Sequence, residues 1–400
     1  MSKQKTDVVV AGHICLDIIP TIRHQPSDLN KLFVPGKLVD VGAALTATGG
    51  AVSNTGIALH RLGASVRLMG KVGKDQFGQA ILNLLQESGS GLSDGMIVTE
   101  GENSSYTVVI SPPGFDRVFL HHTGTNDTFE SKDVDSEKLE GVRLFHFGYP
   151  PLMRKMYTND GTELEALLRR VKSFGITTSL DLAKPDPDSD AGQADWTGIL
   201  QRILPHTDLF LPSFEEVLYM LDPAEFEKLE DQYGSRMLSA IYGATLSSLA
   251  DRLIGLGAAV VAIKLGEHGL YMRTTARQER IQAMGACAPS SSAWLGRELL
   301  IPCYHVQVVG TTGAGDCTIA GFLTAILKGL EPQQALHSAV AVGACNVEQA
   351  DATSGVPKWE AVEKRLAQGW RQREQLLELT DWQYDDLLGL WRGPEDRNGL

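Results

Sequence analysis

Residues 310–329 read GTTGAGDCTIAGFLTAILKG and carry the densest chemistry in the chain. They follow a strand-like run, residues 304–309, and open a helical pattern that closes on Lys328 and Gly329, both good C-terminal signals. The first N–H groups of a helix have no partner within it, and its dipole is positive at that end. Gly313, Ala314 and Gly315 can therefore present bare donors to a phosphate. Glycine suits the place because a Cβ would hold a ligand away from the backbone. Asp316 admits two readings. As a first-turn acid it stabilises the helix N-terminus. As a general base it takes the proton of a hydroxyl attacking a phosphoryl group, while the donors beside it hold the charge of the moving group.

A second run, residues 49–78, reads GGAVSNTGIALHRLGASVRLMGKVGKDQFG. Gly49 and Gly50 form a turn before a helix that carries Asn54 near its start and ends at Leu62-Gly63, with glycine at the usual C′ place. Gly70, Gly73, Asp75 and Gly78 after the next strand read, taken alone, equally well as tight-turn chemistry. The dinucleotide-binding G-x-G-x-x-G pattern and the Walker-type loop with its GK[ST] end are both absent.

These pieces need a frame to bring them together. Apolar, strand-like runs at 8–11, 66–69, 144–147, 176–180, 209–211 and 259–263 alternate with helical patterns such as 51–62 and 163–174. That rhythm predicts an α/β fold, a doubly wound, mostly parallel sheet covered on both faces. Residues 1–358 then form one domain. Segments 21–48 and 105–128 break the rhythm with strand-like alternation, the second around a Pro112-Pro113-Gly114 turn, and are expected to form a small β-sheet lid. Residues 359–400 hold four of the six tryptophans on a charged background and read as a helical extension. It is expected to pack on the domain or against a second copy, so a homodimer is among the expected assemblies. Acidic residues outnumber basic ones there, which argues against a nucleic-acid stacking surface.

Of the 400 residues 43% are hydrophobic and 21% charged, which excludes disordered, collagen-like and coiled-coil classes. A net charge of −13 argues against nucleic acid or an anionic membrane as a partner. It leaves a small anionic ligand open. The five cysteines form no CxxC pair and no zinc-like spacing, and are expected to be reduced and mostly buried. No apolar run is long enough to span a bilayer and the start lacks a signal-peptide pattern, so a cytoplasmic location is expected.

The GG-A-x-x-N…LG run with its following G-x-VG-x-D-x-x-G, and the TTGAGD run far downstream, resemble the N- and C-terminal signatures of the ribokinase-like, PfkB-type carbohydrate kinases. The resemblance covers residues 6 to about 358. It implies ATP-dependent phosphorylation of a hydroxymethyl group on a sugar or sugar-like alcohol, with Mg²⁺ as cofactor and K⁺ as a further candidate cation. It implies Asp316 as catalytic base, with Gly313, Ala314 and Gly315 as the anion hole. Asp17, Gly49, Gly50 and Asn54 match sugar contacts. Lys264, Gly266, Gly269 and Thr312 match the nucleotide side, and Glu216, in LPSFEEVLYML, matches the acid that orders the water shell of Mg²⁺. The helix begun by residues 337–346 would flank the adenine. Gly310 stands where the family usually has Asp, Ser213 where it has Asn, and Thr318 where it commonly has Phe. A nucleoside kinase of the same fold makes similar demands on Asp17 and Asn54, and a catalytically silent sugar sensor is the alternative from another class.

Overall fold

The structure, a computed structural model, describes residues 6–23, 28–115 and 117–397. Its strands in chain order are β1 (Val8–Gly12), β2 (Cys15–Pro20), β3 (Ala44–Gly49), β4 (Val66–Met69), β5 (Lys71–Gly73), β6 (Ile97–Thr99), β7 (Tyr106–Ile110) and β8 (Val118–His122). The second half adds β9 (Leu144–Gly148), β10 (Thr177–Leu180), β11 (Leu209–Phe210), β12 (Val260–Lys264), β13 (Leu270–Thr274), β14 (Glu298–Ile301), β15 (Gln383–Asp385) and β16 (Leu390–Arg392).

Ten of them form one sheet in the order β15-β16-β14-β13-β12-β11-β10-β9-β1-β4. The run from β4 to β12 is parallel, and every pairing from β12 outward to β15 is antiparallel. Side chains alternate across a strand, so a strand covered on both faces favours apolar residues along its whole length. In β1, VVVAG, Val8 and Val10 enter the core on one face while Val9 and Ala11 enter the core on the other. Helices Ala51–Arg61, Ala314–Lys328 and Pro332–Asn346 pack together over the first face. The fold is the expected α/β arrangement.

A second sheet, β3-β2-β7-β8, projects from the first. Its β2–β3 and β7–β8 pairs are antiparallel and β2–β7 is parallel. The lid differs in detail from the expected segments. Of the described residues among 21–48 only those from Ala44 on are strand, because there the chain gains a partner in β2, which begins at Cys15, ahead of the expected segment, and lies between β3 and β7. Residues 24–27 and 116 of the lid segments, and 1–5 and 398–400 at the ends of the expected domains, lie outside the described residues.

The C-terminal expectation needs correction. Helix Trp359–Ala367 is followed not by more helix but by β15 and β16, an antiparallel pair that extends the large sheet through β14. The physical reason is an open edge: β14 would otherwise present unpaired backbone groups. Among the described residues no helix is long and apolar enough to cross a membrane. All five cysteines are free, four of them buried.

Candidate active site

The carboxyl ends of the central parallel strands open on one crevice, where open α/β sheets bind their ligands. Tyr149 follows β9, Asp181 follows β10, Ser213 and Glu216 follow β11, and Lys264 closes β12. Helix Ala314–Lys328 starts abruptly because Gly313 is left-handed, with φ 70° and ψ 2°. A side chain there would run into the Ala352 carbonyl. The turn places Asp316, 4% exposed, within the helix's first turn and inside the crevice.

Asp316 is held from three directions. Tyr149 Oη donates to both its carboxylate oxygens at 2.9 Å. Asn54 Nδ2 donates at 3.1 Å and Thr55 Oγ1 at 3.2 Å, both from the helix that Gly50 begins. The two glycine-marked runs therefore meet at this carboxylate. Burial pushes the Asp316 carboxyl above its usual range, against the Lys264 ammonium and the three donors, which oppose the rise.

Lys264 Nζ lies 2.7 Å from Asp181 Oδ1, with Asp181 fully buried. Burial lifts Asp181 above its ordinary range, opposed by Lys264. Burial works to depress Lys264, yet the charges of Asp181, Glu216 and Asp316 outweigh it and hold the ammonium protonated. A side-chain carbon added at Gly315 would lie 3.5 Å from Lys264 Cδ and 3.8 Å from Nζ, so this cation stands beside the helix N-terminus. Of the three expected backbone donors, Ala314 N–H is already bonded to Thr311 O at 3.3 Å.

A cavity of about 320 Å³ adjoins that N-terminus. Lys264, Gly266 and Gly269 line it, with Ala314 and Gly315 at one end and Val340, Gly343 and Ala344 from helix Pro332–Asn346 on a wall. Thr318 bonds back to Ala314 O at 2.8 Å and also lines the cavity. Thr312 does not line it. Its hydroxyl instead accepts from Arg117 Nη1, and Arg117 Nη2 donates to Thr311 Oγ1 at 3.4 Å, so the lid hairpin reaches across to the glycine-rich turn.

Asp17, on β2, sits at the lid side. The thiol of Cys15 donates to its Oδ1 at 3.3 Å. A side chain at Gly49 would run into the Asp17 carboxylate, so glycine is what allows β3 to pass so close. Burial raises Asp17, opposed by Cys15, Thr107 and Arg117. Glu216 and Ser213 form a capping box: Glu216 Oε2 accepts from Ser213 N–H at 2.6 Å, and Ser213 Oγ accepts from Glu216 N–H at 3.4 Å.

Sequence reasoning missed Tyr149, Thr55, Asp181 and Arg117. Asp181 carried a usable signal, an acid directly after the strand-like run 176–180. Tyr149 carried none, since its left-handed backbone, φ 64°, and its partner 167 residues away are tertiary facts.

The sequence profile of the pfkB family carbohydrate kinase matches residues 5–359. An uncharacterized sugar kinase of Archaeoglobus fulgidus is 25% identical over 302 residues, 76% of this chain and 99% of that one. The 2-dehydro-3-deoxygluconokinase of Bacillus subtilis is 25% identical over 339 residues, 83% of this chain and 90% of that one. Among solved structures, Arabidopsis thaliana ribokinase complexed with ribose and ATP superposes with a TM-score of 0.66 at 19% identity, covering 91% of this chain and 99% of the other. With the profile spanning nearly the whole chain and the fold shared with a solved ribokinase, this protein belongs to the pfkB family and is a carbohydrate kinase.

Proposed function

We propose that this kinase transfers the γ-phosphoryl group of ATP to a hydroxymethyl group of a sugar or sugar-like alcohol, with Asp316 as general base. One observation carries the reading: a buried carboxylate in the first turn of a glycine-started helix, held by Tyr149, Asn54 and Thr55 between the cavity and the lid. A carboxylate raised by burial is a better proton acceptor than an exposed one, and its fixed orientation suits an in-line attack. Asp17 accepts hydrogen bonds from acceptor hydroxyls, with Gly49, Gly50 and Asn54 as neighbouring contacts. Gly313 and Gly315 N–H and the Lys264 ammonium stabilise charge on the moving phosphoryl group. Arg117 ties the lid to Thr311 and Thr312, which closes the reaction to water.

The base of the 320 Å³ cavity is the helix N-terminus and its walls are apolar, which fits a triphosphate joined to a flat base. The carboxylates of Asp181 and Glu216 form an all-oxygen donor set that fits Mg²⁺, either directly or through its water. When bound, that ion neutralises triphosphate charge. At Gly310 there is no side-chain donor for K⁺, and the nearby Val347 carbonyl already accepts from Val309 and Gly310 N–H.

Asp316→Asn is expected to lower transfer by roughly 10²- to 10⁴-fold while ATP binding stays within a few-fold. Steady-state turnover and calorimetric nucleotide binding check this, and near-normal turnover would overturn the assignment. The acceptor is to be found by ADP release across pentoses, hexoses, sugar acids and nucleosides.

A further inference from the structure

Three residues unused by the proposed transfer meet beside Asp17. His13 lies in the turn after β1, Cys15 starts β2, and His121 comes from β8, more than a hundred residues away. One ligating atom from each falls within 4.8 Å of the other two. His13 Nε2 and His121 Nε2 are 3.3 Å apart. Two nitrogens each about 2.0–2.1 Å from a tetrahedral zinc ion stand about 3.3 Å apart, so this pair already spans the edge that such an ion requires.

The surroundings prepare the donors. His121 Nδ1 is 3.0 Å from Thr107 Oγ1. With Nδ1–H donated to that hydroxyl, Nε2 carries the lone pair, the arrangement that orients ligating histidines. His13 is 2% exposed and its Nδ1 has no partner, so Nε2 is its engaged nitrogen. Cys15 Sγ contacts Thr107 Oγ1 at 3.5 Å and donates to Asp17 Oδ1. When the thiol becomes a ligand its proton leaves along that bond to Asp17 or to water.

We propose that His13 Nε2, His121 Nε2 and Cys15 Sγ form a binding site for a divalent ion of the zinc class. Two imidazoles and a thiolate select such an ion over Mg²⁺, which prefers oxygen donors. Occupation would tie β8 of the small sheet to the end of β1. Because the ion would lie beside Asp17, on the thiol that otherwise donates to it, occupation would also block the acceptor hydroxyls, a consequence that rests on the proposed role of Asp17.

Cobalt(II) is the first probe. One equivalent added to the metal-free full chain is expected to give tetrahedral visible bands and a thiolate-to-metal charge-transfer band, both erased by Zn²⁺ and unaffected by thousandfold more Mg²⁺. Cys15→Ser is expected to lose the charge-transfer band. His121→Ala, a change at an exposed position, is expected to weaken binding at least tenfold, with circular dichroism confirming its fold. Absence of the bands in the wild type, or persistence of the charge-transfer band in Cys15→Ser, overturns the site. Zn²⁺ is further expected to inhibit competitively with the sugar and not with ATP. Bands without such inhibition overturn the blocking of the acceptor pocket alone.

Discussion

At Asp316 opposing influences set a working balance. Burial favours the protonated carboxyl, whereas Lys264, then Asn54, Tyr149 and Thr55, favour the charged form, and burial prevails. With the proposed role of Asp316 as base, it must be deprotonated to act, so kcat/KM is expected to fall as pH drops through a value above the ordinary aspartate range. Tyr149→Phe removes a donor that both carboxylate oxygens share. The charged form loses support, so the acid limb of the profile should move to higher pH and turnover near neutrality should drop about tenfold, as for one hydrogen bond to a charged group. A pH series of kcat/KM on both proteins checks this. A limb that stays in place would mean that Tyr149 does not govern the base. The same reasoning shows why Tyr149 was invisible beforehand: a tyrosine after a strand is common, and only the turn that sends it to a helix distant in sequence gives it meaning.

Elements differ in how far they announced themselves. The strands β1 and β12 were legible because a parallel sheet buried on both faces favours continuous apolar runs, and β4, β9 and β10 because β-branched, aromatic and aliphatic residues dominate around their few polar ones. The turns at Gly49 and Gly313 were legible because glycine is required there by close approach and by positive φ. The strands QYD and LWR of β15 and β16 were not, being three residues each and stable only as additions to β14. The His13–Cys15–His121 cluster was hidden for a similar reason, since its third member arrives through β8.

The C-terminal segment does more than cover an edge. Arg373 N–H bonds Cys303 O at 2.7 Å, Trp370 stacks on Tyr304 with centroids 4.6 Å apart, and the Arg373 guanidinium reaches Glu267 at 3.0 Å on the rim of the 320 Å³ cavity, which Arg373 itself lines. This surface ion pair, with side chains 40% and 63% exposed, contributes little to stability. Arg373→Ala is therefore expected to leave the melting temperature unchanged while raising KM for ATP roughly three- to tenfold, the scale of one rim contact. The KM for the sugar should not move. An unchanged KM for ATP would confine the segment to a structural role.

Across the whole molecule the two-sided core controls how the protein meets acid. His146 lies in β9 near the middle of the large sheet, fully buried, with Nδ1 2.9 Å from Ser179 Oγ on the neighbouring strand. Burial, reinforced by Lys264, depresses it from 6.5 to about 3. Burial also lowers His13, His121, His206, His268 and His337. Each such group takes a proton less readily in the folded chain than in the unfolded chain, where it does so below about pH 6.5. The sign follows: the stability these histidines support is present above 6.5 and is lost as pH falls, for His146 until about 3. One depressed group costs about 1.4 kcal/mol per pH unit within its window. His146→Asn keeps a polar partner for Ser179 and removes the titrating ring. Its cavity lowers stability equally at every pH, so only the slope separates the two effects. Denaturant unfolding between pH 4 and 6 is expected to give a stability-against-pH slope shallower by about 1.4 kcal/mol per unit in the variant. Parallel curves for the two proteins would show that His146 takes up its proton without unfolding the sheet around it.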